Sequence, residues 1–299
     1  MQDILGRLKR EILVCDGSMG TMLQKFGLAL GECPEYWNLT QTEKLISVHQ
    51  EYIEAGADII ITNTFGANSI KLKKFNLEAK LEEINKNGAL NAKTAAKKYG
   101  RNVIVAGNIG PTGSLLEPLG FLKTEEAYEA FQAQAMALEE GGADIIIIET
   151  MIALEEAVAA VRAVKENTKL PIIACMTFEV TAAKDVRTVM GVDVPSMIYE
   201  LTKAGADILG SNCGNGVEQM AEVIKALRAG TDSPLIAEPN AGMPKLKNGV
   251  IGYDETPELV ASYTEILLKA GANIIGGCCG TTPGHIRQIK NKIERRFDK

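Results

Sequence analysis

Cys278 and Cys279 are adjacent and sit within Gly276-Gly277-Cys278-Cys279-Gly280. Neighbouring side chains on a regular strand point to opposite faces. Both sulfurs can serve one point only if the backbone curls, which glycine permits. A third cysteine, Cys213, follows the expected strand Ile208–Asn212. Three thiolates converging on one ion with one position open make a zinc site that accepts a ligand. Structural zinc is usually closed by four protein ligands, often as Cys-x2-Cys knuckles, and this sequence has no such knuckle. The competing reading is three core thiols, since free cysteine is among the most buried residues. The glycine-flanked pair, with a third cysteine at a strand end, favours the metal. Cys15 and Cys175 lie inside apolar strands and Cys33 precedes Pro34, so these three read as packing thiols.

Three thiolates make zinc a poor Lewis acid for hydrolysis, which mostly uses histidine ligands and a carboxylate base. The chain has only two histidines, His49 and His285, which disfavours histidine-rich sites. A soft fourth ligand, a substrate thiol, suits the site better. A free thiol has a pKa near 8.5, and zinc binding deprotonates it while an electron-rich ligand set keeps it nucleophilic. The natural reaction is alkyl transfer to sulfur. His49, between apolar helix neighbours, is expected to satisfy a local hydrogen bond. A ligand role for His285 is the minor reading. Tyr36 and Trp37 are read either as a cover over the substrate or as packing.

These residues need a frame. Four segments share a phrase: Glu54-Ala-Gly-Ala-Asp-Ile-Ile, Glu140-Gly-Gly-Ala-Asp-Ile-Ile, Lys203-Ala-Gly-Ala-Asp-Ile-Leu and Lys269-Ala-Gly-Ala-Asn-Ile-Ile. Each reads as a helix end, a left-handed glycine cap and a strand buried on both faces. Eight such strands are expected, at Ile12–Cys15, Ile59–Asn63, Val103–Gly107, Ile145–Glu149, Ile172–Thr177, Ile208–Asn212, Leu235–Glu238 and Asn273–Gly277. Helices are expected over Thr42–Ala55, Leu77–Tyr99, Thr124–Glu140, Leu154–Glu166, Val194–Ala204, Val217–Ala229, Thr256–Ala270 and Pro283–Arg296. This alternation predicts an α/β fold, a (β/α)8 TIM barrel forming one domain, over a doubly wound sheet. Active sites on such barrels lie at the C-terminal strand ends. Those ends carry Asp16-Gly17-Ser18-Met19-Gly20, Thr62-Asn63-Thr64, Asn108 to Gly113, Glu149-Thr150, Thr177-Phe178-Glu179, Asn212-Cys213-Gly214, Glu238-Pro239-Asn240 and the Cys278-Cys279 pair.

Composition narrows the function further. The 299 residues carry a net charge of −6, with 46% hydrophobic and 23% charged residues, as in ordinary globular proteins. The acidity disfavours nucleic acid as a partner. No run approaches the roughly 18 apolar residues of a membrane span. Charges stand where a secretory apolar core would be, so the expectation is a cytoplasmic protein with reduced thiols. The basic stretch Lys290–Arg296 reads as a solvated helix end.

Asp16-Gly-Ser-Met-Gly-Thr-Met-Leu-Gln24, Thr62-Asn-Thr-Phe65, Gly110-Pro-Thr-Gly113, Glu149-Thr150, Asn212-Cys213, Pro239-Asn-Ala-Gly242 and Gly276-Gly-Cys-Cys-Gly-Thr-Thr-Pro283 resemble the homocysteine S-methyltransferase family. The likeness runs over nearly the whole chain and is strongest to the homocysteine-binding module of cobalamin-dependent methionine synthase. It implies a homocysteine-binding barrel over residues 1–299, with zinc on Cys213, Cys278 and Cys279 and homocysteine sulfur as fourth ligand. It further implies Asp16 and Glu149 near the substrate ammonium and the N–H groups of Gly17, Ser18, Met19 and Gly20 around its carboxylate. A glycine-rich turn suits an anion on its own account. Thr62, Asn63, Asn212 and Asn240 are expected around the substrate, with ordinary strand-end hydrogen bonding as the alternative. The methyl donor implied is a methylated corrinoid (cobalamin) on a partner protein or module.

Two features depart from that likeness. The folate, cobalamin and reactivation modules of methionine synthase are not in the sequence. Gly214-Asn215-Gly216 also replaces the expected Leu-Gly-Pro type of turn beside Cys213. Alternatives are a stand-alone enzyme using S-methylmethionine or another donor or thiol, a non-catalytic zinc protein, and a metal-free lyase with Gly110–Gly113 as an anion loop. The last requires a catalytic lysine inside a strand, and the expected strands contain none.

Overall fold

The computed structural model describes residues 3–100, 102–247 and 250–297. Eight parallel strands form the expected TIM barrel: β1 Leu13–Val14, β2 Ile59–Ile61, β3 Ile104–Ile109, β4 Ile145–Met151, β5 Ile172–Met176, β6 Ile208–Cys213, β7 Leu235–Pro239 and β8 Ile274–Ile275. Each pairs with its successor, and β8 returns to β1 through Leu13–Ile274. A bridge between Cys15 and Ile59 closes the ring, with Asp16 N–H donating to the Ile59 carbonyl at 3.0 Å and Asp58 N–H to that of Val14 at 2.7 Å.

The repeated phrase has a structural cause. Gly56, Gly142, Gly205 and Gly271 all hold left-handed backbone, with φ of 107, 91, 113 and 112°. The Asp or Asn two residues later starts an even-numbered strand and stitches it to the odd strand before it. Val14 N–H donates to Asp58 Oδ2 (3.0 Å), Val105 to Asp144 Oδ2 (2.9 Å), Ile172 to Asp207 Oδ2 (2.9 Å) and Leu235 to Asn273 Oδ1 (2.9 Å). The barrel is thus four copies of one strand–helix–strand join. Lys290 adds an ion pair to Asp58 at 3.1 Å, so the basic stretch of the last helix is partly engaged with the barrel.

The strands do not alternate in polarity because both faces are buried. Ile59, Ile104, Ile145, Ile147, Ile173, Ile208, Ile236 and Ile274 fill the barrel, with Ile4 and Leu8 of the helix Ile4–Leu8 packed in the same cluster. Val14, Ile60, Val105, Ile146, Leu209 and Leu235 pack outward under the helices. Burying each such side chain contributes about 1.5–3 kcal/mol. Two steps further along the inward face, the chain reaches Asn108, Glu149, Asn212 and Glu238. The apolar barrel therefore ends in a polar layer beneath the loops.

Two helices differ from expectation. The helix expected from Leu77 starts at Leu81, after a 3-10 turn over Glu78–Lys80. The helix expected over Thr256–Ala270 breaks at Tyr263 into Pro257–Ser262 and Thr264–Ala270, where the Tyr263 N–H reaches back only three residues to Val260. Trp37 is buried in the main core and Tyr36 packs on the smaller cluster of Cys33, Ala67, Leu72, Leu81 and Ile84, so both are packing residues. His49 does not satisfy the expected hydrogen bond: Nδ1 is buried without a partner, and burial holds the ring neutral with its pKa down at about 4.

Candidate active site

The sulfur atoms of Cys213, Cys278 and Cys279 lie within 4.8 Å of one another at the C-terminal end of the barrel. Cys213 Sγ is 3.0 Å from Cys278 Sγ. The backbone is shaped for this convergence. Cys213 is left-handed at φ 63° and Gly214 follows at 73°, a conformation that costs a non-glycine residue about 1–2 kcal/mol. The Gly214-Asn215-Gly216 turn thereby swings the Cys213 sulfur off the strand axis. On the other side, Thr281 N–H and Oγ1 both donate to the Cys278 carbonyl, at 3.1 and 2.6 Å, closing a tight turn. The hydrogen bonds from Cys213, then Cys278, hold the Cys279 thiol down at about 3, with Tyr253 adding to the effect. Cys278 moves the other way, through its hydrogen bonds to Cys213 and Cys279 and then burial.

A cavity of about 290 Å³ opens beside the sulfurs, lined by Gly17 to Gly20, Pro34, Glu35, Thr62, Asn63, Phe65, Asn108, Glu149 and Thr150 among others. Glu149 Oε1 accepts from Asn108 Nδ2 at 2.7 Å and Oε2 from Asn212 Nδ2 at 3.3 Å. Burial raises the Glu149 carboxyl to about 7, against the pull of the Asn108 hydrogen bond. Asp16 lies below the lining, fully buried, accepting from Ile61 N–H at 2.9 Å. Burial pushes its pKa well up. A wider depression of about 730 Å³, lined by Lys9, Asp207 and Arg228, lies at the opposite end of the barrel. Arg228 there donates to the carbonyls of Thr231, Ser233 and Gly271.

The remaining expected residues separate by role. Ser18 Oγ caps the helix Met19–Lys25, accepting from Thr21 N–H at 3.1 Å, and Ser18 N–H donates to Thr281 Oγ1 at 3.1 Å. That N–H is committed within the protein. Met19 and Gly20 open the helix, where N–H groups lack intrahelical acceptors. Thr62 Oγ1 accepts from Asn108 N–H at 2.9 Å, and Asn63 Nδ2 donates to the Pro34 carbonyl at 2.8 Å. Both line the cavity while tying its walls. Asn212 and Asn240 do not line it. Asn240 Nδ2 donates to the Gly214 carbonyl at 2.8 Å, and its Oδ1 is buried without a partner. His285 Nδ1 accepts from Thr282 N–H at 3.1 Å, so Nε2–H donates to the Glu255 carbonyl at 3.0 Å. Both ring nitrogens are engaged away from the sulfurs.

The family model for homocysteine S-methyltransferase matches residues 13–293. The chain belongs to the homocysteine S-methyltransferase family. It is similar to methionine synthase of Mycobacterium tuberculosis, 32% identical over 96% of this chain and 25% of that protein. The Mycobacterium leprae methionine synthase is 31% identical over 99% and 25%. The chain thus spans about a quarter of the length of these relatives. The crystal structure of the metallated homocysteine methyltransferase MmuM from Escherichia coli has the same fold, with a TM-score of 0.80 at 24% identity, covering 97% of this chain and 99% of that one.

The cysteine set of this family member fits zinc by its donor chemistry. Two sulfurs on one tetrahedral zinc at 2.3 Å stand about 3.8 Å apart. Cys213 and Cys278, at 3.0 Å, come within an ångström of that separation, all three sulfurs lie within 4.8 Å of one another, and the orphaned Asn240 Oδ1 lies on the next strand end. Sequence reading assigned no role to Glu238, which is 1% exposed with both carboxylate oxygens unpartnered. Burial, then the Glu149 charge, pushes its carboxyl well up. Its signal was its pairing register, directly beside Asn212. Among the described residues, no helix is long and apolar enough to cross a membrane.

Proposed function

We propose that residues 1–299 form a homocysteine-binding barrel that transfers a methyl group to homocysteine sulfur, giving methionine. The observation that carries this reading is the convergence of three cysteine sulfurs on one wall of a cavity whose other walls hold Glu149 and the Gly17–Gly20 turn. Zinc on Cys213, Cys278 and Cys279 supplies the lowered thiol pKa that makes homocysteine a thiolate at neutral pH. The protein does the rest. Glu149, ionised above about pH 7, offers its carboxylate to the ammonium, with the buried Asp16 carboxyl held on the Ile61 N–H. The first-turn N–H groups of Met19 and Gly20, with that of Gly17, face the carboxylate. The buried polar layer holds these groups in place without reorganisation.

The donor reading is a methylated corrinoid carried by a partner protein or module. Leu30, Leu115, Leu119, Phe121, Met243 and Leu246 are exposed on loops that follow β1, β3 and β7, around the barrel end where the cavity opens. The β3 loop is firmly tied, by Glu117 N–H to the Leu122 carbonyl and Gly120 N–H to that of Leu116, both at 2.9 Å, yet presents Phe121 98% exposed. Apolar side chains held out around a site mark a protein contact more than a small donor such as S-methylmethionine. The free thiols suit a reducing compartment such as the cytoplasm. Nothing favours the metal-free lyase: Thr112 N–H and Oγ1 of the Gly110–Gly113 loop are both taken by Glu156, at 2.7 and 2.6 Å.

Zinc stoichiometry with and without Cys278→Ala, followed by homocysteine titration at the metal edge, tests the reading. One zinc, lost in the variant, with a fourth sulfur on adding homocysteine, is expected. A reduced chain that takes up no zinc would overturn it.

A further inference from the structure

The glycine-rich turn after β1 and the cysteine turn after β8 are locked together by two buried hydroxyls, those of Thr281 and Tyr52. The Thr281 side chain is seated between Gly17 and Gly277: a Cβ on either glycine would stand 2.7 or 2.5 Å from Thr281 Oγ1. From that seat Oγ1 accepts from Ser18 N–H at 3.1 Å and donates to the Cys278 carbonyl at 2.6 Å. Tyr52, on the helix Thr42–Glu54, also reaches both turns. Its hydroxyl stands 3.0 Å from the Ser18 carbonyl and 3.3 Å from the Thr281 carbonyl, so its single proton serves the two turns together. A further tie runs from Gly280 N–H to Thr21 Oγ1, at 3.1 Å.

A thiol amino acid is gripped at two ends, sulfur and carboxylate. Both grips add to binding only if the two subsites already stand at the right separation; a loose turn would have to be ordered at the substrate's expense. Resting on the function proposed above, we propose that Thr281 and Tyr52 are positioning residues that hold the carboxylate-facing N–H groups of Gly17, Met19 and Gly20 in register with the sulfur end of the site. Neither residue lines the cavity, so each acts through the backbone it holds. Thr281 takes the Ser18 N–H and fixes the turn from the donor side. Tyr52 fixes it from the carbonyl side. The Thr281 bond to Cys278 ends on the carbonyl and not on the sulfur, so it sets where the turn lies without altering the thiol.

The test titrates the full, zinc-loaded chain by calorimetry with homocysteine and with aminopropanethiol, the amine that remains when the homocysteine carboxylate is removed. Thr281→Val keeps the side-chain shape and deletes the hydroxyl. It is expected to weaken homocysteine about tenfold, the scale of one hydrogen bond, and to leave aminopropanethiol unchanged with one zinc retained. Thr281→Ser, which keeps the hydroxyl, restores most of the homocysteine affinity. Tyr52→Phe removes only the other hydroxyl and is expected to show the same one-sided loss, so it carries the test if circular dichroism finds the Val variant unfolded. Equal weakening of both thiols overturns the proposal, because the effect would then lie at the sulfur end. Unchanged homocysteine binding in the folded variants overturns it as well, as does loss of zinc from them, which would make these metal-retaining residues. An unsubstituted chain that takes up no zinc, or that binds both thiols equally, would instead overturn the function on which the proposal rests.

Discussion

Asn212 and Thr150 are joined twice across the barrel mouth: Thr150 N–H donates to Asn212 Oδ1, and Asn212 Nδ2 donates to Thr150 Oγ1, both at 2.7 Å. Thr150 is left-handed, at φ 60°, beside Glu149. The clamp stabilises that strained turn and orients Glu149 and Cys278 through the same amide. Asn212→Ala leaves buried partners unpaired and is expected to lower unfolding free energy by about 2–3 kcal/mol. Outer partners of metal ligands commonly carry 10–100-fold in affinity, so zinc affinity should fall by about that factor. Urea melts and chelator competition measure the two effects, and unchanged values in both would show that the clamp is incidental.

Metal loss should separate the cysteines into two groups. Cys278→Ser is expected to abolish stoichiometric zinc binding while costing little stability in the metal-free state, since the site is partly open to solvent. Cys175→Ala, inside the barrel, should keep its zinc and lose about 1–2 kcal/mol of stability from the small cavity. Metal analysis and melting on the two variants decide the division. A zinc-free Cys175→Ala would contradict it.

The pH dependence of the metal-free chain follows from Glu149. Its carboxyl is raised from 4.5 to about 7, burial first. Between those values the folded chain holds a proton that the unfolded chain has released. Stability contributed by this group is therefore full below about pH 4.5 and falls as pH rises to about 7, by roughly 3 kcal/mol at most. Glu149→Gln removes that slope. Asp16 and Glu238 shift in the same direction, so the informative quantity is the difference between variant and parent. The gap in favour of the variant should widen from about pH 5 to about pH 8 in urea melts, while homocysteine binding weakens. A gap independent of pH would refute the assignment.

The partner surface makes its own prediction. Phe121→Asp removes a fully exposed aromatic from a tied loop. Melting temperature, zinc content and homocysteine binding should stay unchanged. Turnover with a protein-borne methyl-corrinoid should fall about tenfold, the usual scale for losing an aromatic anchor. Equal turnover in parent and variant would leave a small-molecule donor as the better reading.

Much of this protein is written locally in the chain. Helix, left-handed glycine and buried strand follow one another by short-range rules, so the phrase around Gly56, Gly142, Gly205 and Gly271 announced the barrel and its strand ends. The Gly-Gly-Cys-Cys-Gly stretch likewise announced a curled backbone carrying two sulfurs. The helix break at Tyr263 and the late start at Leu81 were less legible, because helix limits depend on what the ends pack against. No local pattern shows whether a buried ring such as that of His49 finds a partner.

Tertiary structure alone decided which distant groups meet. The aspartates of the repeat bind N–H groups of the preceding strand, which no spacing rule reveals. Asn212 reaches Thr150, Glu149 and Cys278 because barrel closure brings three strand ends together. Glu238 and Asp16 share one buried layer for the same reason. Local sequence sets backbone conformation and the periodicity of side chains. The electrostatics of a site depends on through-space neighbours, and those are set only when the ring is closed.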